Sequence, residues 1–194
     1  MNKLEKNGEE EVVYKGKIFE VIKQPMKAGD KLINFEIVRR SPGVRIFIVK
    51  GDKMLLTREF RVELDDFDYR LPGGKVFDTL DEYTEGLKNN EDILHWAMEA
   101  AKKEAEEEVA VKIEKLEYFY TARAGATVDW NLFYFVAEDF IPVEEGQKLE
   151  PGEVIDMEWK GFDEVKEMCL DGRIKEDRSV GVILKFILNQ NPPQ

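Results

Sequence analysis

Cysteine and histidine each occur once, as Cys169 and His95. A single thiol excludes an intrachain disulfide framework and suits the cytoplasm, where the chain is expected to work. The same scarcity all but removes a His/Cys zinc site, so any metal centre has to be built from oxygen ligands. Long apolar runs are missing too, and none approaches the roughly 20 residues of a membrane span. The opening MNKLEKNGEEE carries charges with no apolar core behind them, unlike a signal peptide. Positive charge is in deficit, with 29 Lys and Arg against 41 Asp and Glu and a net charge of −12. That balance argues against nucleic acid or an anionic membrane as the main partner. It still allows a small anionic ligand held by a few arginines and a metal.

The 194 residues are 43% apolar and 11% aromatic, enough for one domain with a proper core. Residues 10–40 alternate apolar and polar on both sides of the turn-like KAGDK, as strands do. GVRIFIVKGDKMLLTREFR has the pattern of a hairpin, and Pro72-Gly73-Gly74 is a strong turn signal. Asp78 to Asn90 is polar without clear periodicity and reads as a loop or inserted excursion. EDILHWAMEAAKKEAEEEVAV predicts a helix capped by Asp92, with apolar Ile93, Leu94, Ala97, Ala101 and Ala105 on one stripe. Further strands follow, then two helices, the first ended by Gly172. This order predicts an α+β sandwich. It divides into an N-terminal strand extension (1–40) and a main domain (41–194) with an insertion at about 78–91. Trp96, Trp130 and Trp159 are expected in the core, Cys169 as a small buried hydrophobe and His95 at the surface.

Four glutamates fall within five positions of KKEAEEEVAV, Lys102 to Val111. Near a helix C-terminus they oppose the macrodipole, and Glu104 repels Glu107 and Glu108 at i+3 and i+4. At roughly 100° per residue, Glu104 and Glu108 lie on the inward edge of the helix, with Glu107 beside them and Glu106 facing solvent. Most charge runs are solvated faces. A carboxylate pair turned toward a core, however, needs a cation to neutralise it, and Mg²⁺ or Mn²⁺ suits such oxygen donors.

RLPGGKVF followed by a helix ending KEAEEEVAV resembles the Nudix box, Gly-x5-Glu-x7-Arg-Glu-U-x-Glu-Glu-x-Gly-U with U apolar. Gly74 takes the place of the first Gly, Glu104 of the Glu after Arg, Glu107 and Glu108 of the Glu pair, and Ala105 and Val111 of two U positions. Lys103 stands at the Arg, Ala110 at the second Gly and His95 at the first Glu, and the gap after Gly74 is about fifteen residues too long. Segments on both sides of the box are similar to the ADP-ribose pyrophosphatase branch, so the resemblance spans nearly the whole chain. It implies a Nudix-type α/β/α sandwich with a mixed sheet and an N-terminal β extension, often a homodimer through the N-terminal strands. It also implies Mg-dependent hydrolysis of a nucleoside diphosphate linked to another moiety, with ADP-ribose or a related nucleotide sugar expected first.

By the same resemblance Glu104, Glu107, Glu108 and the Gly73 carbonyl would hold the metal, with Glu108 also counted in the catalytic set. The acidic loop KLEPGEVIDMEW would supply the base, Glu153 before Glu150, although a plain acidic loop reads the same way. Arg61, Arg70 and Arg123 match substrate-binding positions or pair with surface acids. Two other functions stay open: a Nudix-fold ligand-binding or scaffold protein that has lost catalysis, and a hydrolase of nucleoside triphosphates or dinucleoside polyphosphates.

Overall fold

The computed structural model describes residues 3–190. A first, five-stranded sheet holds β1 (Leu4–Lys6), β2 (Glu11–Lys15), β3 (Phe19–Ala28), β4 (Lys31–Arg40) and β9 (Val128–Asp129). β3 and β4 form a hairpin over the Gly29-Asp30 turn, with Phe19 opposite Arg40 and Ala28 opposite Lys31. Most of β4 is exposed or half-buried, as expected of a sheet with one open face.

The second sheet is mixed and six-stranded: β5 (Gly43–Lys50), β6 (Lys53–Arg61), β7 (Asp66–Arg70), β8 (Val111–Ala122), β10 (Leu132–Pro142) and β11 (Ile155–Gly161). β5 and β10 are parallel and central, and β10 pairs antiparallel with β8. β5 is buried from Gly43 to Val49 because both of its faces are covered. Val44, Ile46 and Ile48 point to one side, against Ala97, Ala101, Ala105 and Val109 of α2 (Ile93–Val109). Phe47 and Val49 point to the other, against Phe162, Val165 and Phe186 of α3 (Phe162–Asp171) and α4 (Asp177–Gln190). The alanine stripe of α2 lets its backbone lie close to the sheet. The result is an α/β/α sandwich with an N-terminal β extension.

One departure from regular pairing shapes the molecule. The β5–β6 hairpin keeps only two register pairs, Val49 with Met54 and Lys50 with Lys53. Beyond Met54 the strands diverge and β7 takes the place of β5 beside β6, pairing Thr57 with Arg70. The gap along β5 is filled by the Pro72–Lys75 segment, whose Pro72 and Gly74 carbonyls accept from Ile46 and Val44 at 2.9 Å each. The glycine turn is thereby fastened to the most buried strand of the fold.

Two expectations need correction. Asp78 to Asn90 is not a loop: it contains α1 (Leu80–Lys88), started by a capping box between Thr79 and Glu82. Leu80 and Tyr83, at i and i+3, are buried with Phe77 in a small cluster of their own against Val76 and Ile93. A short segment with only two inward apolar residues carries a weak periodic signal, but its Thr-x-x-Glu start was legible. The tryptophans are not core residues either. Trp96 and Trp159 are exposed and Trp130 is half-buried, since the interior is already filled by phenylalanines and aliphatic side chains. Cys169 is buried and His95 exposed, as expected.

Candidate active site

The end of α2, the Pro72–Lys75 segment and the loop before β11 enclose a cleft of about 370 Å³. Its walls include Glu104, Glu107 and Glu108 from the helix, Glu150 and Glu153 from the loop, Gly73, and Arg61 and Arg70 from β6 and β7. Eight of the nine site residues expected from the sequence therefore face one space. Arg123 does not; it lines a separate pocket with Arg39 and Asp129 against the first sheet.

Glu108 is the most constrained of the acids. Its Oε2 accepts from the Gly73 N–H at 2.8 Å. Burial lifts its pKa to about 7, and the charges of Glu104 and Glu153 add to this against the opposing pull of Gly73 and Arg45. Glu104 is raised to about 7 as well, first by burial and then by Glu107. The glycines leave room for these carboxylates. A Cβ on Gly74 would collide with the Glu104 carboxylate, and one on Gly73, whose φ is 142°, would strike the Val44 carbonyl.

The base of α2 is locked to the acidic loop. The Gln147 side chain donates to the Glu108 carbonyl at 2.6 Å and the Lys148 N–H to the Glu107 carbonyl at 2.8 Å. These bonds satisfy carbonyls that a helix end leaves open. Ala110 then closes the helix with φ 50° and ψ 44°, the left-handed region. The loop folds back on itself, with the Glu150 N–H donating to Glu153 Oε2 at 2.9 Å. Glu153 is half-buried and Glu150 exposed.

Beneath the glycines lies an ion pair that the sequence patterns did not reveal. Arg45 donates from Nε and Nη2 to the two carboxylate oxygens of Glu176, both at 2.9 Å, and from Nη1 to the Gly73 carbonyl at 2.9 Å. Glu176 also accepts from the Ser179 hydroxyl, which meets the Tyr134 hydroxyl at 3.0 Å. Burial alone would raise the Glu176 pKa, but the Arg45 charge prevails and holds it at about 2. The signal was available: Arg45 is the sole charge within GVRIFIV.

The two outer arginines have carboxylate neighbours. Arg61 pairs with Glu59 at 2.7 Å, leaving its buried Nε without a partner, and Arg70 pairs with Asp68 at 2.5 Å. Lys103 is exposed, 3.7 Å from Glu107.

Among the described residues, no three His, Cys, Asp or Glu side chains already stand at metal-gripping distance. The donor set nonetheless fits a hard divalent ion. Glu104 and Glu108 are held inward with raised pKa values, Glu107 stands beside them, and all offer carboxylate oxygens. The Gly73 carbonyl accepts from Arg45 Nη1, which uses one of its two lone pairs and leaves the other for an ion.

No protein-family model and no curated protein matches the sequence. Solved structures do match the fold. One, titled "Crystal structure of ADP compounds hydrolase", superposes with a TM-score of 0.67 over 95% of this chain and 94% of that one, at 18% identity. The likeness is one of fold: the Nudix-type sandwich expected from the sequence is the architecture observed.

Proposed function

We propose that the protein is a Mg²⁺- or Mn²⁺-dependent hydrolase of a nucleoside diphosphate linked to another moiety, with ADP-ribose or a related nucleotide sugar as substrate. The observation that carries this reading is the pair Glu104 and Glu108, held inward beneath Gly73 and Gly74 in a cleft whose other wall holds arginines. The structure with a matching fold is described as a hydrolase of ADP compounds, which agrees in substrate class.

Glu104 and Glu108 would hold the ion, with Glu107 assisting. When bound, the ion neutralises diphosphate oxygens and stabilises the leaving phosphate. Arg61 and Arg70 orient the diphosphate by charge-assisted hydrogen bonds from the N–H groups that Glu59 and Asp68 leave free. Glu153 accepts a proton from the attacking water, and Glu150 supports the turn that presents it. Water adds across the phosphoanhydride, so ADP-ribose gives AMP and ribose 5-phosphate. The Gly73 N–H and the buried Arg45–Glu176 pair keep the glycine segment and Glu108 in register.

A second reading, a binding module without turnover, is favoured by the altered box, with His95, Lys103 and Ala110 at positions where the Nudix pattern has Glu, Arg and Gly. Release of AMP or the corresponding nucleoside monophosphate from a panel of diphosphate-linked nucleotides, with and without Mg²⁺, decides between them. Mg-dependent release supports the hydrolase; tight binding of the same nucleotides without any release supports the module.

We also propose a homodimer contact on the first sheet, where Val12, Val13, Tyr14, Leu32 and Ile33 are exposed. A dimer mass by light scattering, reduced to a monomer by Leu32→Asp, is the expected result. A wild-type monomer at assay concentration would remove this assignment.

A further inference from the structure

α1, the helix of the inserted segment, and one face of α2 border a second chamber of about 460 Å³. It adjoins the acidic cleft, because Lys75, Asp78, Lys103 and Glu104 line both spaces. On α2 the wall is a single stripe, Trp96, Ala100, Lys103 and Glu104, at spacings i, i+4, i+7 and i+8. Trp96 therefore stands about 12 Å along the helix axis from Glu104. Its indole is 43% exposed, the buried Phe77 ring lies 6.1 Å away, and both rings line the chamber.

The chamber differs from the cleft in charge. Its two lysines, Lys75 and Lys103, both belong to the boundary shared with the cleft, and its remaining charged walls are carboxylates. Among the described residues, Glu85 and Glu91 have no ion-pair partner. Glu91 is turned toward the aromatic floor: a Cβ on the buried Gly86 would lie 3.2 Å from its Oε2 and 3.8 Å from the Phe77 ring. Carboxylates only accept hydrogen bonds, so these walls favour N–H donors and repel carbonyl oxygens.

We infer that this chamber is the base subsite, in which Trp96 stacks on a nucleobase bearing an exocyclic amino group and Glu85 and Glu91 accept from that amino edge. Every base has a π-face for the indole, so stacking supplies affinity and the carboxylates supply the choice. Adenine, cytosine and guanine bring an amino donor, whereas uracil flanks its single N–H with two carbonyls. The α2 stripe sets the order of the substrate: diphosphate at Glu104 beside Lys103, pentose over the small Ala100, base at Trp96. This rests on the hydrolase reading for the place of the diphosphate, though the base contacts need no turnover. Trp96 is then a specificity residue and touches no reacting atom.

The test has a binding arm and a kinetic arm. In EDTA, saturation-transfer nuclear magnetic resonance should show adenosine in contact with wild type and uridine much less so. Trp96→Ala should abolish the adenosine signal. Trp96→Phe keeps a ring and should retain part of it, and it serves in place of Trp96→Ala if that variant does not fold. Trp159→Ala, on β11 and lining neither space, should match wild type. The kinetic arm uses ADP-glucose and UDP-glucose, which differ only in the base. Trp96→Ala should raise KM for ADP-glucose about five-fold or more with kcat unchanged, the loss expected of one base–aromatic stack. Glu85→Gln combined with Glu91→Gln should narrow the kcat/KM ratio of ADP-glucose over UDP-glucose by a similar factor. An adenosine signal or a KM unchanged in folded Trp96→Ala overturns the subsite. Uridine bound as well as adenosine, or an unchanged ratio in the double variant, overturns the choice of an amino-bearing base. Absence of all hydrolysis would instead defeat the hydrolase reading, and the adenosine signal would then decide alone whether the chamber takes a base.

Discussion

The Gly73 N–H donates to Glu108 Oε2 at 2.8 Å, while the Gly73 carbonyl accepts from Arg45 Nη1 at 2.9 Å. One peptide segment thus joins an inward glutamate of α2 to the buried ion pair beneath the sheet. The position of Glu108 is set by the core of the fold and not by its own helix alone.

Gly74 separates site geometry from stability. A Cβ there meets only the far end of the flexible Glu104 side chain, which can swing aside. Gly74→Ala should leave the melting temperature within about 2 °C of wild type, a change of at most about 1 kcal/mol for a chain of this size. It should weaken Mn²⁺ binding at least ten-fold, as measured by electron paramagnetic resonance titration. Unchanged Mn²⁺ affinity would show that the Glu104 carboxylate is no ligand.

The raised pKa values of Glu104 and Glu108 fix the sign of a pH effect in metal-free protein. Folded values of about 7 lie above the ordinary 4.5, so the folded state binds the extra protons between these limits. The stability they confer is present below about pH 4.5 and is lost as pH rises through 7. Glu176 has the opposite sign: held at about 2, it stabilises above pH 4.5 and loses this as pH falls toward 2. In EDTA, Glu104→Gln and Glu108→Gln should therefore raise the melting temperature by several degrees at pH 8 and by less at pH 5. A ten-fold change in proton affinity is worth about 1.4 kcal/mol, and less at Glu104, where solvent screens the charge. Glu106→Gln is the control and should change little.

Ala110 adopts the left-handed conformation that L-residues other than Asn and Asp enter at a cost of about 1–2 kcal/mol. Ala110→Gly should remove most of that strain and raise the melting temperature by about 2–4 °C, offset in part by the entropy of the unfolded chain. Nucleotide and metal binding should not change. A lower melting temperature would mean that the Ala110 methyl packs more usefully than its backbone suffers.

How much of this is legible in the sequence depends on whether the signal is local. The inward turn of Glu104 and Glu108 follows from helical spacing, and the two-sided burial of β5 from an apolar run broken once by Arg45. The meeting of Glu153 with α2 comes only through family resemblance, because residues 45 positions apart leave no spacing signal. The departure of Arg123 from the cleft and the arrival of Arg40 and Trp130 depend on how β4, β9 and β10 pack. Nothing in the neighbouring sequence reports that packing. Ala110 shows the opposite relation: the Nudix pattern places Gly there, and the left-handed cap explains why Gly is suited to it.

The insertion gives a prediction about folding. Phe77, Leu80 and Tyr83 form a cluster separate from the two main cores, so replacing Asp78–Asn90 by a short glycine-serine link should leave the sandwich folded. α1 also borders a space of about 460 Å³ that Glu104 and Trp96 share with it, so nucleotide preference should change. Loss of cooperative unfolding in that variant would make α1 a structural requirement.

The most direct measurement follows ADP-ribose by ³¹P nuclear magnetic resonance with wild type, Glu104→Gln, Glu153→Gln and Glu150→Gln, each with and without Mg²⁺. Wild type should yield AMP and ribose 5-phosphate only with Mg²⁺, and Glu104→Gln should lose the Mg²⁺ response. Glu153→Gln should lower kcat by about 10²–10⁴ with little change in KM, and Glu150→Gln should have the smaller effect. No turnover of ADP-ribose or a related diphosphate by the Mg²⁺-loaded wild type, or turnover indifferent to Glu104, would contradict the account.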